Sequence, residues 1–404
     1  MPDTWEWCRF GSYTLNRDNE RKPVSSVQRK KVKKIYDYYG ASGVIDQTDS
    51  FLFDEKLLLI GEDGANLLAR TKPIAFLADG KYWVNNHAHC IDSIDKRLLD
   101  FICVYINAIN LFQYITGSAQ PKLNQDNMNR ILMPIPPKAE QERILERIKI
   151  ILSNINDIDS LKGKLQSDIV NAKSRILDLA IRGKLVPQDP NDEPAAVLLE
   201  RIRTEKEELI KQGKIKRDKK ESVIFKGDDN SYYYHIENGS SVYDEKLELP
   251  SNWIPCTISD ISYILGNKEN QIQTNEILNY GKYPVVSQSQ EYIDGYCDFE
   301  EKAINNVPVI LFGDHTRIVK FIDFPFVIGA DGTKIFKIIA ANEKYIYYWM
   351  QFASNKIVSK GYARHYGLLK KSCLCLPPLA EQKRIVDEIE KIFATLDDIA
   401  NKVV

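Results

Sequence analysis

The run Asn85-Asn86-His87-Ala88-His89 holds the residues best equipped for chemistry, two imidazoles spaced so that a strand would turn them to one face. Alternating histidines can present a ring to a metal or a phosphate, and a hydrolase built on His87 and His89 is one reading. The third ligand of such a set is missing, because Ile91 occupies the next alternate position. A capped or core histidine is the plainer reading, and Asn85 and Asn86 equally suit turn geometry. No metal site is expected. The seven cysteines contain no C-x-x-C pair, and Cys373-x-Cys375 has no histidine or cysteine at zinc spacing nearby. They read as buried thiols. No N-P-P-Y or D-P-P-Y tetrad is present to hold an exocyclic amine for methyl transfer. Neither a G-x-x-x-x-G-K-[ST] nor a G-x-G-x-x-G phosphate loop occurs.

Charge gives little direction on its own. The formal net charge is −1, with 55 Lys+Arg against 56 Asp+Glu. Residues 1–135 carry 17 basic and 16 acidic side chains, and residues 250–376 carry 13 and 12. Affinity for a polyanion would have to come from local patches or from partners. Arg29-Lys30-Lys31-Val32-Lys33-Lys34 is one such patch, or else a solvated face. With 404 residues and 44% apolar content, two or three domains with real cores are expected. No 18-residue apolar run and no basic-then-apolar leader is seen, so a soluble, cytoplasmic protein is expected.

The elements that would position these residues come in two sets. Pro136-Pro137-Lys138-Ala139-Glu140-Gln141-Glu142-Arg143-Ile144 returns as Pro377-Pro378-Leu379-Ala380-Glu381-Gln382-Lys383-Arg384-Ile385. Pro2, Trp5 and Cys8 recur in the spacing of Pro250, Trp253 and Cys256. A period near 250 residues is too long for a solenoid and describes a duplicated module, a globular block followed by a helix.

After the first motif Ile144, Ile148, Ile151, Ile155 and Ile158 follow steps of four and three. Leu165, Ile169, Ile176 and Leu179 resume the phase after a break at Lys162. This is a heptad seam, ended by Gly183 and Pro187. The second copy carries Ile385, Ile389, Ile392, Leu396 and Ile399 in the same steps. The two helices are each other's nearest candidate partners, and their connections favour an antiparallel pair.

The expected fold is mixed α/β: two similar domains joined by long helices in an antiparallel coiled coil, with pseudo-twofold symmetry. The divisions are a first domain at 1–136, a central helix at 137–188, and a short helix with a charged linker at 189–248. A second domain at 249–376 and a terminal helix at 377–404 complete the chain.

The repeated P-P-x-A-E-Q-x-R-I phrase, Ala180-Ile181-Arg182-Gly183-Lys184-Leu185-Val186-Pro187 and Leu249-Pro250-Ser251-Asn252-Trp253 together resemble the specificity subunit of bacterial type I restriction-modification systems. The likeness covers essentially the whole chain. Gly61-Glu62-Asp63-Gly64-Ala65-Asn66 and Trp83-Val84-Asn85-Asn86-His87-Ala88-His89 also resemble a common version of the family's first recognition domain. The resemblance implies two target recognition domains that read a bipartite double-stranded DNA site with an unspecified spacer. It implies a non-catalytic subunit that binds two methyltransferase subunits and, in the full complex, motor-nuclease subunits. S-adenosylmethionine and ATP would then belong to those partners. Many members carry a second copy of the Arg182–Val186 element, and this sequence ends before it. Ile169, Ile176 and Leu179 are therefore expected to lack a partner within the chain and to face another subunit.

On this resemblance the DNA-binding candidates are Lys30, Asn85, Asn86, His87, Gln120, Lys122 and Asn124 in the first domain. In the second they are Ser287, Gln288, His315, Arg317, Lys334, Arg364, His365 and Tyr366. Asn and Gln can pair bidentately with adenine, Arg with guanine, and Lys with phosphate or guanine. The rival readings are a coiled-coil scaffold without DNA specificity and the His87/His89 hydrolase.

Overall fold

The computed structural model describes residues 2–117, 119–217, 249–266, 268–329, 332–358 and 364–403, with the backbone of strands 223–226, 232–236 and 239–242. The chain divides into two compact units, Met1–Asp159 and Ser160–Val404.

The first unit begins with β1 (Glu6–Arg9), α1 (Phe10–Tyr13), β2 (Leu15–Asn16) and α2 (Ser26–Arg29). It continues through β3 (Tyr36–Gly40), β4 (Gly43–Thr48), β5 (Phe53–Asp54), β6 (Leu57–Gly61), α3 (Asn66–Ala69), β7 (Ala75–Ala78), β8 (Lys81–Val84) and β9 (Ala88–Asp92). Helices α4 (Leu98–Ala108) and α5 (Gln125–Asn129) and strand β10 (Leu132–Ile135) complete it. Its sheets are ordered β2-β9-β6-β7 and β4-β3-β8-β5, and β1 pairs antiparallel with β10. Strand β6 explains why they stack. Its five residues are all buried, and alternate side chains leave on opposite faces. Leu58 and Ile60 join the core under α4, while Leu57 and Leu59 join the core shared with Tyr82 and Val84.

Helix α6 (Lys138–Ile181) is 44 residues long, and α7 (Ala195–Lys211) follows it. The segment expected as a charged linker contains three antiparallel strands, β11 (Val223–Lys226), β12 (Tyr232–Ile236) and β13 (Gly239–Val242).

The second unit runs β14 (Ile254–Cys256), β15 (Ser262–Leu265), β16 (Tyr283–Val286), β17 (Gly295–Cys297), β18 (Val309–Gly313), β19 (Val319–Ile322), β20 (Val327–Ile328) and β21 (Thr333–Ile338). Then come α8 (Glu343–Lys356), α9 (Tyr366–Leu369), β22 (Leu374–Leu376) and α10 (Leu379–Val403). Its sheet β15-β21-β18-β19 repeats β2-β9-β6-β7 strand for strand. The parallel pair β16–β20 repeats β3–β8, and β14–β22 repeats β1–β10. Strand β18 is likewise buried on both faces, with Ile310 and Phe312 in one core and Val309 and Leu311 in another.

The repeated motifs make the same local structure twice. Trp5 N–H donates to Pro2 O at 3.0 Å, and Trp253 N–H to Pro250 O at 3.1 Å. The Gln141 side-chain amide donates to Pro136 O at 2.8 Å, and that of Gln382 to Pro377 O at 2.8 Å. These bonds tie each proline turn to the first turn of α6 and α10.

Within the second unit the end of α6 and α10 run antiparallel. Lys173 Nζ meets Asp397 Oδ1 at 2.6 Å, and Gln188, just past α6, meets Glu381 in the first turn of α10. Gly183 ends α6 with φ +68°. Its N–H donates to Ala180 O and the Lys184 N–H to Leu179 O, the double bond pattern of a left-handed helix stop. A Cβ there would lie 2.6 Å from Pro250 Cγ.

Here the sequence expectation is corrected. Ile169 is buried and Ile176 packs on the second unit's core, with Leu177, Ala180 and Ile181 buried around it, so this part of α6 has its cover within the chain. Only Leu179 of the three residues expected to face another subunit stays exposed. The buried face also sits about one residue away from the heptad prediction. A straight α-helix drifts against a seven-residue repeat, and this end packs on a globular core as well as on a helix. In α10, Ile385 and Ile389 are buried, Ile392 and Leu396 half-buried, and Ile399 exposed. Ile144, Ile148 and Leu165 are half-buried, and Ile151, Ile155 and Ile158 exposed.

Candidate nucleic-acid interface

Three loops of the first unit meet at the β6 exit: the turn after β6, the β8–β9 turn, and the segment leading into α5. Glu62 N–H donates to His87 O at 2.9 Å, and Leu123 N–H donates to Glu62 O at 2.8 Å. The second unit repeats this with other residues. Asp314 N–H donates to Gly332 O at 2.7 Å, and His365 N–H donates to Asp314 O at 2.8 Å. One acidic residue after the central strand thus stitches the same three loops together in each unit, through its backbone.

The side chains on that frame differ. In the first unit the Glu62 carboxylate takes Arg21 at 2.7 Å and Lys122 at 3.1 Å. Burial pushes its carboxyl up, but the bonds from Arg21 and Lys122 hold it below the ordinary range. His87 is exposed and bonds Asp63 through Nδ1 at 2.8 Å. Asn86, Gln120 and Lys122 are exposed beside it. In the second unit the Asp314 carboxylate accepts the Tyr366 N–H at 2.7 Å, and the Gln288 side-chain oxygen accepts the His315 N–H at 3.1 Å. Lys334 Nζ lies over the Tyr366 ring at 5.5 Å. A Cβ on Gly332 would lie 2.8 Å from both Gln288 Nε2 and His315 Cδ2, so these loops close tightly.

Most of the expected residues therefore converge, in two sets. Asn86, His87, Gln120 and Lys122 gather in the first unit, and Gln288, His315, Lys334, His365 and Tyr366 in the second. Arg364 adjoins the second set and is exposed. Others are scaffold. The Asn85 side chain is buried and accepts the His87 N–H at 2.8 Å. Asn124 caps α5 by accepting the Asn127 N–H at 2.8 Å. Ser287 is buried and accepts the Ser289 N–H. Arg317 has φ 63° and bonds Ile357 O. Lys30 stands exposed at the end of α2, and its neighbours Arg29 and Lys34 both pair with Asp46. Ser118, Ala330, Asp331 and Gly361 to Ala363 of the loops lie outside the described residues.

The two histidines of the opening motif do not act together. His89 is 1% exposed, with Nδ1 at 2.6 Å from Asp18 Oδ2 and Nε2 at 2.7 Å from Leu123 O. Both oxygens are acceptors, so the ring fastens β9 to two loops as a donor. Asp18, Glu62 and His89 have oxygen and nitrogen atoms within 4.8 Å of one another. Those atoms are already engaged: Asp18 by His89 and the Cys90 N–H, Glu62 by Arg21 and Lys122. Burial raises the Asp18 carboxyl, but its bonds from His89 and from the Cys90 N–H bring it below the ordinary range. The cluster is a saturated ion-pair network. Arg21, central to it, was not singled out in the sequence, where it is one arginine among many.

The duplicated fold and its paired loop clusters define a protein of two related modules. A family model for the type I restriction modification DNA specificity domain matches residues 2–166 and again 250–403. The chain belongs to this family. It is similar to the type I restriction enzyme EcoAI specificity subunit of Escherichia coli, 28% identical over 259 residues, 57% of this chain and 40% of that protein. The EcoEI specificity subunit, also of Escherichia coli, is 29% identical over 256 residues, with the same shares of 57% and 40%. The chain thus spans about two fifths of the length of these relatives. The fold is similar to the HsdS subunit from Thermoanaerobacter tengcongensis, with TM-score 0.54, 13% identity, and 100% of this chain and 94% of that one covered. Among the described residues no helix is long and apolar enough to cross a membrane.

Proposed function

We propose that this chain is the DNA-recognition subunit of a type I restriction-modification complex, reading a bipartite site with an unspecified spacer. The observation that carries this reading is the pair of loop clusters. One backbone frame, anchored by Glu62 or Asp314, presents different side chains in each unit, as two readers of different half-sites would require. In this reading each unit lays its loops in a major groove, and the intervening helix sets the separation of the half-sites. Phosphate contacts come from residues such as Lys122 and Arg364, and base contacts from amide and imidazole groups such as those of Gln120, Gln288 and His315.

The subunit itself is non-catalytic and works in the cytoplasm. Two methyltransferase subunits bring S-adenosylmethionine and the methyl-transfer chemistry, and motor-nuclease subunits bring ATP hydrolysis. The near-zero net charge fits a protein that shares its DNA contacts with partners. The test is to incubate DNA with this chain and its methyltransferase subunit and map the modified adenines. Two short specified half-sites separated by a fixed unspecified gap are expected. Modification without sequence preference, or at a single uninterrupted site, overturns the reading.

A further inference from the structure

Among the described residues three other than glycine have a left-handed backbone: Arg70 (φ 50°), Arg317 (φ 63°) and Ala340 (φ 49°). Residues with a side chain rarely adopt it, and the two arginines do so at equivalent places. Arg70 lies between β6 and β7 and Arg317 between β18 and β19, strands that repeat each other in the two sheets. Their guanidinium groups also have the same partner. Arg70 Nη1 donates to the carbonyl of Ile109, the residue that closes α4, and Nη2 donates to Ile106 O at 3.0 Å and Asn107 O at 3.3 Å. Arg317 Nη1 donates to the carbonyl of Ile357, the residue that closes α8. The last carbonyls of a helix have no partner within it and carry partial negative charge, so a guanidinium suits them.

Each helix end answers with a side chain of its own. The Ser354 hydroxyl donates to Arg317 O in the second unit. In the first, Asn107 Oδ1 accepts the N–H groups of Ile74 and Ala75 at 2.8 and 3.0 Å, where the β6–β7 connection ends. The same two connections hold the far end of the segment that follows each helix. Leu123 N–H donates to Glu62 O at 2.8 Å, and His365 N–H donates to Asp314 O at 2.8 Å. Between these anchor points the sequence carries Gln120 and Lys122 in the first unit and Arg364 in the second. A segment tied at both ends to one connection has less freedom to move its side chains than a segment tied at one end.

We propose, resting on the DNA-recognition reading, that Arg70 and Arg317 are positioning residues. Each fixes where its unit's reading segment leaves the helix, and neither contacts DNA. Losing a phosphate ligand lowers the salt dependence of binding, whereas losing a positioning residue lowers sequence preference in one half-site.

The test maps modified adenines and measures the salt dependence of DNA binding for the full chain assembled with its methyltransferase subunit. Asparagine is the substitution to use, because it tolerates the left-handed backbone and removes the guanidinium. Arg317→Asn should lower the preference for the correct sequence over single mismatches about tenfold in one half-site. The other half-site and the salt dependence should stay unchanged. Arg70→Asn should relax the other half-site alone. Ser354→Ala leaves the guanidinium in place and should relax the same half-site as Arg317→Asn by a smaller factor, which keeps the test decisive if Arg317→Asn does not fold. A lower salt dependence with preference intact would make the arginine a phosphate contact. Equal relaxation of both half-sites, or reduced modification with preference intact, would make it a general stabiliser. Each of these results overturns the positioning role. An unaltered chain that gave no bipartite site would instead overturn the recognition reading itself.

Discussion

Trp253 donates its indole N–H to Glu381 Oε2 at 2.9 Å, joining the start of one recognition unit to the helix that leaves it. The other carboxylate oxygen accepts the Gln188 amide, so three sequence motifs meet at one fully buried carboxylate. In the first unit the counterpart residues are Trp5 and Glu140, and the Trp5 indole nitrogen is buried without a hydrogen-bond partner among the described residues. Glu381→Ala should therefore cost about 1–3 kcal/mol in denaturant unfolding, because it strands the buried Trp253 indole N–H. Glu140→Ala should stay within about 0.5 kcal/mol. Equal losses would contradict the asymmetry.

Acid should act on the two units with opposite sign. The folded-state Asp18 and Glu62 carboxyls lie below the ordinary carboxylate range of about 4. Their contribution is complete above that range and lost as the pH falls through it and below. Burial raises the Glu381 carboxyl, against the bonds from Trp253 and Gln188, so its protonation favours the folded second unit. Hydrogen exchange at pH 6 and pH 3.5 should show protection falling in β9 and the β8–β9 turn, and holding longer in β14 and the first turn of α10. Uniform loss would refute the assignment.

Asn124 and Lys122 are two residues apart and should behave differently. Asn124→Ala removes the α5 cap and should cost about 1 kcal/mol of stability with the DNA target unchanged. Lys122→Ala should weaken binding similarly for all sequences and lower the salt dependence by about one phosphate contact. Thermal denaturation and DNA titrations at several salt concentrations distinguish them.

Gln288 orders the His315 turn through its oxygen, with its nitrogen beside Gly332. Gln288→Ala should loosen the His315 turn and relax discrimination in the half-site read by the second unit alone. Methylation mapping that showed the other half-site altered would place this residue elsewhere in the mechanism.

On the proposed reading the helix is a spacer. Seven helical residues inserted between Asp159 and Ser160 add roughly 10.5 Å and should lengthen the unspecified gap by about three base pairs. An unchanged gap would remove the helix from that role.

The loop residues show where sequence reasoning reaches and where it stops. Asn124 looked like a reader of adenine because its side chain has the right donor and acceptor. In the fold that acceptor is used by the Asn127 N–H. The alternation of His87 and His89 suggested a shared face, but β9 begins at Ala88, so His87 belongs to the turn and His89 to the core. Glu62 stands in the sequence only as one residue of a loop motif and Asp314 has no motif to mark it, and their common task rests on backbone bonds that composition does not reveal.

What the sequence determined by itself was duplication, helix and family: repeated phrases and heptad spacing are local patterns that survive without coordinates. Tertiary structure decided which stretch of α6 is covered. It also decided which polar side chains are committed to holding loops and which face solvent. Those outcomes depend on contacts between residues far apart in the chain, such as Lys173 with Asp397 and Trp253 with Glu381. Burial and hydrogen-bond saturation are properties of such contacts, so spacing along the chain cannot fix them.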